Sequence, residues 1–265
     1  MRNPRAIPRA IPRAIPRALP RALPRALAAA ATLIAALAAF APSQARRTVW
    51  LIGDSTMAER VDTTRTAERG WGQALPRFLD TAAVAVRNHA ANGRSTRSFL
   101  AEGRWDSVRT RLRPGDVVLI QFGHNDQKDQ DSTRHTNPYT GYRRNLERFV
   151  AESRARGATP VVLSSIVRRH FNASGVLQDT HGVYPWVARS VAREAGAGFV
   201  DLQLLTEELV LRAGPERSKA LYVWVGEQRD DTHLSAAGAD SVARLAAREL
   251  RRLGGPLARH VRGVD

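Results

Sequence analysis

Asp116-Val117-Val118-Leu119-Ile120-Gln121-Phe122 is an almost unbroken apolar run, entered by an acid and left through Gly123. A half-buried strand alternates apolar and polar residues, whereas a run apolar at successive positions predicts a strand covered on both faces. Working outward, the same pattern recurs at 48–52, which ends at Gly53, more weakly at 83–86, and again at 159–164 and 198–201. Helical periodicity falls between these runs, near 71–79, 98–112, 142–156, 184–194 and 202–212, and a last helix spans 235–253 with Ser235 as its N-cap. Strand and helix in alternation predict an α/β fold: a three-layer α/β/α sandwich around a five-stranded parallel sheet. In such sheets ligands bind beyond the carboxyl ends of the strands, so the chemistry is expected just after each apolar run.

The chain has 265 residues, 43% apolar and 25% charged, which is ordinary globular usage and ample for one sizeable core. Cysteine is absent, which excludes disulfides, thiolate metal sites and a cysteine nucleophile. The net charge of +16 comes from 39 arginines against only two lysines, Lys128 and Lys219. They are dispersed rather than gathered into a stripe, and no nucleic-acid partner is expected. Seven of these arginines lie before residue 30, in a segment without an acid.

That segment is not part of the fold. From Ala6 to Leu27 an Ala-Ile/Leu-Pro-Arg unit repeats every four residues, and each proline disfavours helix at the residue before it. An Ala-rich stretch, 26–41, follows and would cover about 24 Å as a helix, short of the ~30 Å hydrocarbon core of a bilayer. Ser43-Gln44-Ala45 then offers small residues at a cleavage position. A basic region, an apolar region and a small-residue site in that order predict a secretory signal over 1–45 and export to the outside or the periplasm, without membrane insertion after cleavage; residues 46–265 are expected to form one catalytic domain, and the chain is expected to be a monomer.

At the expected strand ends stand Gly53-Asp54-Ser55-Thr56, then Asn92-Gly93-Arg94-Ser95, then Gly123-His124-Asn125-Asp126; before the last helix comes Asp230-Asp231-Thr232-His233. These are the parts of a serine esterase. A serine hydroxyl attacks an ester only when a base takes its proton, and that base needs an acid to hold its tautomer. The tetrahedral intermediate needs donors for its oxyanion, which a glycine N–H and an asparagine amide can supply. Either Asp230 or Asp231 could orient His233: i and i+3 share a face in a tight turn, i and i+2 in an extended strand. Asp54 and Asp126 read as loop braces, and His89, His124 and His181 as packed histidines. Arg94 and Arg97 are candidates to meet a substrate carboxylate.

No Gly-x-Ser-x-Gly elbow occurs. The four blocks, in this order, instead resemble the SGNH (GDSL-like) hydrolases, whose fold is flavodoxin-like. Within that family Gly70-Trp71-Gly72-Gln73, Asn92-Gly93-Arg94-Ser95-Thr96-Arg97-Ser98-Phe99, Gln121-Phe122-Gly123-His124-Asn125-Asp126 and Asp179-Thr180-His181-Gly182 are similar to the rhamnogalacturonan acetylesterase group. The resemblance implies Ser55 as nucleophile, His233 as base and Asp230 as its acid, with Ser55, Gly93 and Asn125 forming the oxyanion hole. It implies no metal or organic cofactor, and acetylated plant polysaccharide or oligosaccharide as substrate. Within the same superfamily a xylan deacetylase, lysophospholipase or thioesterase is the alternative; a non-catalytic carbohydrate-binding protein would need an aromatic platform or a basic stripe, yet aromatic residues are only 6% and spread out.

Overall fold

The structure is a computed structural model that describes residues 46–265. The predicted signal and cleavage site fall outside the described residues. Five strands, β1 (Arg47–Gly53), β2 (Val84–Asn88), β3 (Val117–Gln121), β4 (Thr159–Leu163) and β5 (Gly198–Val200), form one parallel sheet in the order β2-β1-β3-β4-β5. The strand order reverses between β1 and β3, the switch point at which doubly wound sheets bind ligands. β3 is central, and its first four residues are all apolar because neither face meets water.

The alternation hidden in those apolar runs sorts side chains to two cores. Val49, Leu51, Val117, Leu119, Val161 and Leu163 pack on one face against helices α1 (Trp71–Ala74) and α7 (Ala236–Arg252). Trp50, Ile52, Val118, Ile120 and Val162 face the other layer, made by α2 (Thr96–Ala101), α3 (Arg104–Arg109), α4 (Arg143–Ala155) and α5 (Tyr184–Glu194). Phe99, Trp105, Phe122 and Phe149 fill that second core with ring centroids 5.1–6.4 Å apart. The three-layer sandwich is therefore as expected.

Some details differ from the sequence reading. The helix anticipated over 98–112 starts at Thr96, where Ser95 and Ser98 form a reciprocal capping box, and is divided at Gly103. The helix expected over 202–212 continues as α6 (Leu202–Arg217), kinked at Gly214 and Pro215. Two further strands, β6 (Tyr222–Val225) and β7 (Gln228–Leu234), form an antiparallel hairpin that the strand count missed. Tyr222-Val223-Trp224-Val225 before Gly226 was the available signal. Among the described residues no helix is long and apolar enough to cross a membrane.

Candidate active site

Ser55 lies in the turn that leaves β1. A Cβ at Gly53 would stand 2.6 Å from the Gln121 carbonyl, so only glycine lets the chain part from β3 there. Asp54 then closes the turn: its carboxylate accepts the Thr56 N–H at 3.0 Å and hydroxyl at 2.8 Å, and its carbonyl accepts Met57 N–H at 3.2 Å. From the end of β3 the Gln121 amide donates to Thr56 Oγ1 at 2.8 Å and accepts the Trp71 indole N–H at 2.6 Å. Four buried residues thus hold one turn, and Ser55 itself is 9% exposed.

His233 reaches this turn from the hairpin. Tyr222 pairs with Leu234 while the next residue, Val223, pairs with Asp230, so residues 231–233 loop out of β7 as a bulge. Asp230 Oδ1 accepts the N–H groups of Thr232 and His233 at 2.8 and 2.9 Å, making the loop a tight turn. The same carboxylate's Oδ2 stands 2.7 Å from His233 Nδ1, and His233 Nε2 stands 2.9 Å from Ser55 Oγ. Asp231 points elsewhere, to Arg169 Nε at 2.6 Å and the Trp224 indole at 2.8 Å. Burial would raise the Asp230 carboxyl, but the hydrogen bonds it accepts from His233 and Thr232 hold it at about 2. Burial disfavours the charged imidazole of His233, yet the hydrogen bond and charge of Asp230 outweigh it and raise that group above the ordinary histidine value.

The other two predicted residues follow β2 and β3, the strands flanking β1. Ala91 N–H donates to the Gly53 carbonyl at 3.0 Å, joining the loop after β2 to the end of β1. Gly93 sits in the left-handed region, φ +73°. Asn125 Nδ2 donates to the Arg94 carbonyl at 3.1 Å, which leaves its second amide hydrogen for another acceptor. Among the described residues neither Ser55 N–H nor Gly93 N–H donates to any acceptor. The preceding Gly123 has φ +147°, and a Cβ there would meet Ser165 Oγ at 2.4 Å.

Residues 51–240 match the GDSL-like lipase/acylhydrolase family. The chain belongs to that family. It is 39% identical over 222 residues to the rhamnogalacturonan acetylesterase RhgT of Bacillus subtilis, covering 80% of this chain and 93% of the relative. It is 31% identical to a rhamnogalacturonan acetylesterase of Emericella nidulans, over 76% and 84% of the two chains. Among solved structures, Bacillus subtilis YxiM superposes with a TM-score of 0.71 at 29% identity, covering 79% of this chain and 57% of that one. An acetylxylan esterase of Geobacillus stearothermophilus, Axe2, shares the fold with a TM-score of 0.58 at 23% identity, over 77% and 94%.

In this GDSL-like enzyme the structure adds two residues that the sequence reading passed over. Glu68 Oε1 lies 3.9 Å from His233 Nδ1, a second carboxylate on the same imidazole, and is held by Arg60 at 2.7 Å. Arg60, 7% exposed, also donates to the Ser55 carbonyl at 3.3 Å and to the Asn92 side chain. Neither stands in a recognisable spacing with Ser55, so only folding associates them. The bracing expected of Asp126 is present: it accepts Thr96 N–H and the hydroxyls of Thr96 and Thr136, and burial pushes its carboxyl up to about 7. His124 and His181 are buried edge to face, 4.6 Å between centroids, and His89 stacks on Trp50. Burial lowers the pKa of His124, which favours its neutral form. Arg94 is paired with Glu102 at 3.0 Å, and Arg97 is exposed. Glu68, Asp230 and His233 bring three ligand atoms within 4.8 Å of one another, but a cation there would have to displace the hydrogen bond between Asp230 and His233.

Proposed function

We propose that this chain is a secreted serine carbohydrate esterase that removes acetyl groups from acetylated rhamnogalacturonan through an acetyl-enzyme on Ser55. The observation that carries the reading is the unbroken relay from Asp230 Oδ2 to His233 Nδ1 at 2.7 Å and from His233 Nε2 to Ser55 Oγ at 2.9 Å. Asp230 fixes the tautomer with the proton on Nδ1, which leaves Nε2 as the base. As Ser55 Oγ bonds to the acetyl carbonyl carbon, Nε2 takes the hydroxyl proton. The carbonyl oxygen gains the negative charge and is met by the N–H groups of Ser55 and Gly93 and by Asn125 Nδ2, three donors without reorganisation at the moment of reaction. As the intermediate collapses and the bond between the acetyl carbon and the sugar oxygen breaks, His233 gives that proton to the departing oxygen, which leaves as the sugar hydroxyl. Water attacks the acetyl-enzyme in the same geometry, His233 again taking a proton, and acetate leaves as Ser55 is restored.

The choice of an acetyl group on a pectic polymer is supported by the relatives named above, two of which are rhamnogalacturonan acetylesterases. The polar loop from His124 to Tyr139, beside the oxyanion residues, suits a hydroxylated polymer better than an acyl chain. Acetate release is to be measured from acetylated rhamnogalacturonan, homogalacturonan and xylan side by side, with a long-chain lipid ester as control. Rhamnogalacturonan is expected to give the highest kcat/KM, and Ser55→Ala should fold normally while retaining no more than about 10³- to 10⁴-fold catalysis over water. Greater kcat/KM on xylan or lipid would replace the substrate, and ordinary turnover by Ser55→Ala would remove the mechanism.

A further inference from the structure

Of the five tryptophans, Trp50, Trp71 and Trp105 are buried and Trp224 is half-buried beneath Arg169, Lys219 and Arg229. Trp186 is 62% exposed. Single exposed apolar side chains are ordinary on a protein surface. Trp186, however, lines a depression of about 260 Å³ together with Pro185 and Leu204, the latter 50% exposed, and the rest of the lining is polar. An exposed indole face ringed mostly by polar groups suits a hydroxylated ring, which offers a C–H face to the indole and hydroxyls to the ring of polar groups.

Its place in the fold connects it to the ester chemistry. Asp201, in the same depression, directly follows β5, so the depression opens at the carboxyl end of the sheet, as Ser55 does. The loop that leads into α5 is tied to the turn bearing Asn125, because Gln127 Nε2 donates to the Thr180 carbonyl at 2.7 Å. From β1 to β5 is three strand steps, about 14 Å at ~4.8 Å per step. A polymer whose acetylated residue sits at Ser55 can therefore extend along the strand ends to Trp186.

The margin selects the kind of residue received. Gln203 is engaged, its amide donating to Asp179 Oδ1 at 3.2 Å, whereas the half-buried Glu207 carboxylate in the lining is an acceptor suited to a hydroxyl. Arg189 is already paired with Asp201, and Glu207 has no cationic partner among the described residues. With its one cation neutralised and a carboxylate beside it, the depression disfavours a uronate. We propose that it is a distal subsite for a neutral pyranose ring of the polysaccharide, the C–H face of the ring lying on Trp186 and a hydroxyl donating to the Glu207 carboxylate. This rests on reading the chain as a polysaccharide esterase, and it assigns Trp186 a binding role separate from the chemistry at Ser55.

The test uses the inert Ser55→Ala chain and deacetylated oligosaccharides of alternating rhamnose and galacturonic acid, with oligogalacturonate as the acidic comparison. Calorimetry should give saturable binding of the mixed oligosaccharide that weakens about tenfold when Trp186→Ala is added, while Trp186→Phe, which keeps a ring, stays within about threefold. Intrinsic fluorescence should change on binding and cease to change with Trp186→Phe, because Trp186 is the tryptophan exposed there. Oligogalacturonate binding should be indifferent to Trp186→Ala. In the active chain that substitution should raise KM for acetylated rhamnogalacturonan about tenfold and leave kcat/KM for an aryl acetate within twofold. No measurable binding, or equal affinity with and without Trp186, overturns the subsite, as does an equal loss on oligogalacturonate. Failure of the unsubstituted enzyme to release acetate from any polymer would instead remove the substrate reading, and the titration still judges the subsite by itself.

Discussion

Asp230 and Asp231 are adjacent carboxylates with opposite duties, and the bulge at 231–233 assigns them. Asp230 faces the imidazole, whereas Asp231 ties the hairpin to the buried guanidinium of Arg169 and to Trp224. Asp230→Asn is expected to lower kcat about 10³- to 10⁴-fold, since an amide at Nδ1 favours the wrong tautomer. Asp231→Asn should leave kcat within about tenfold and lower the thermal midpoint instead. Kinetics and melting of the two variants, run in parallel, decide it; the reverse order of effects would reassign the acid. The pH dependence is argued from the same imidazole. Its Nε2 must be unprotonated to act, so kcat/KM falls as pH drops through the His233 pKa, which burial lowers but Asp230 and, behind it, Glu68 raise above the ordinary ~6.5. Glu68→Gln removes one of those charges and should move the acid limb to lower pH while the plateau kcat stays within a fewfold. An unmoved limb would show that Glu68 does not act on the base.

At the scale of elements, the hairpin is the part that brings an acid and a base to a sheet otherwise complete without them. It is seated by α7, whose first turn approaches the preceding chain so closely that a Cβ at Gly238 would lie 1.8 Å from the Leu221 carbonyl oxygen. Ser235 caps the helix by accepting the Gly238 N–H at 3.1 Å and donates to the Ala220 carbonyl at 2.6 Å. Gly238→Ala must therefore push α7 away from the segment that leads into β6. The cost is expected at the upper end of overpacking, about 3 kcal/mol, or about 6–12 °C in Tm for a domain of this size. Activity should fall with it, because the same shift moves His233 relative to Ser55. Differential scanning calorimetry and aryl acetate turnover check both, and an unchanged Tm would mean that the helix start accommodates a methyl group.

Over the whole molecule, residues 46–265 contain the sheet, both cores and every residue of the relay. Secreted material is expected to begin at Arg46, and N-terminal sequencing that still reads the Ile-Pro-Arg repeat would reject that export route. The doubly wound architecture was legible in the chain because a strand buried on both faces has to be apolar at successive positions, as 117–120 is. The placement of Ser55, Gly93 and Asn125 beyond strand ends was legible too, since the end of a parallel strand is where the chain turns out of the core. The choice of Asp230 over Asp231 was legible as well, from the helix start at Ser235 and the Asp-x-x-His spacing, which favour a tight turn; the bulge that makes the turn, imposed by pairing with β6, was not, because pairing across a hairpin leaves no one-residue signal. Glu68 and Arg60 were not legible, because they reach His233 and Ser55 across distances set by packing rather than by spacing. The chain's burial pattern fixes the layers, and its spacing fixes the reactive groups and Asp230 as the acid beside His233; only the folded chain brings Glu68 to the same imidazole, because that partner is selected by direction and distance in space and not by spacing along the sequence.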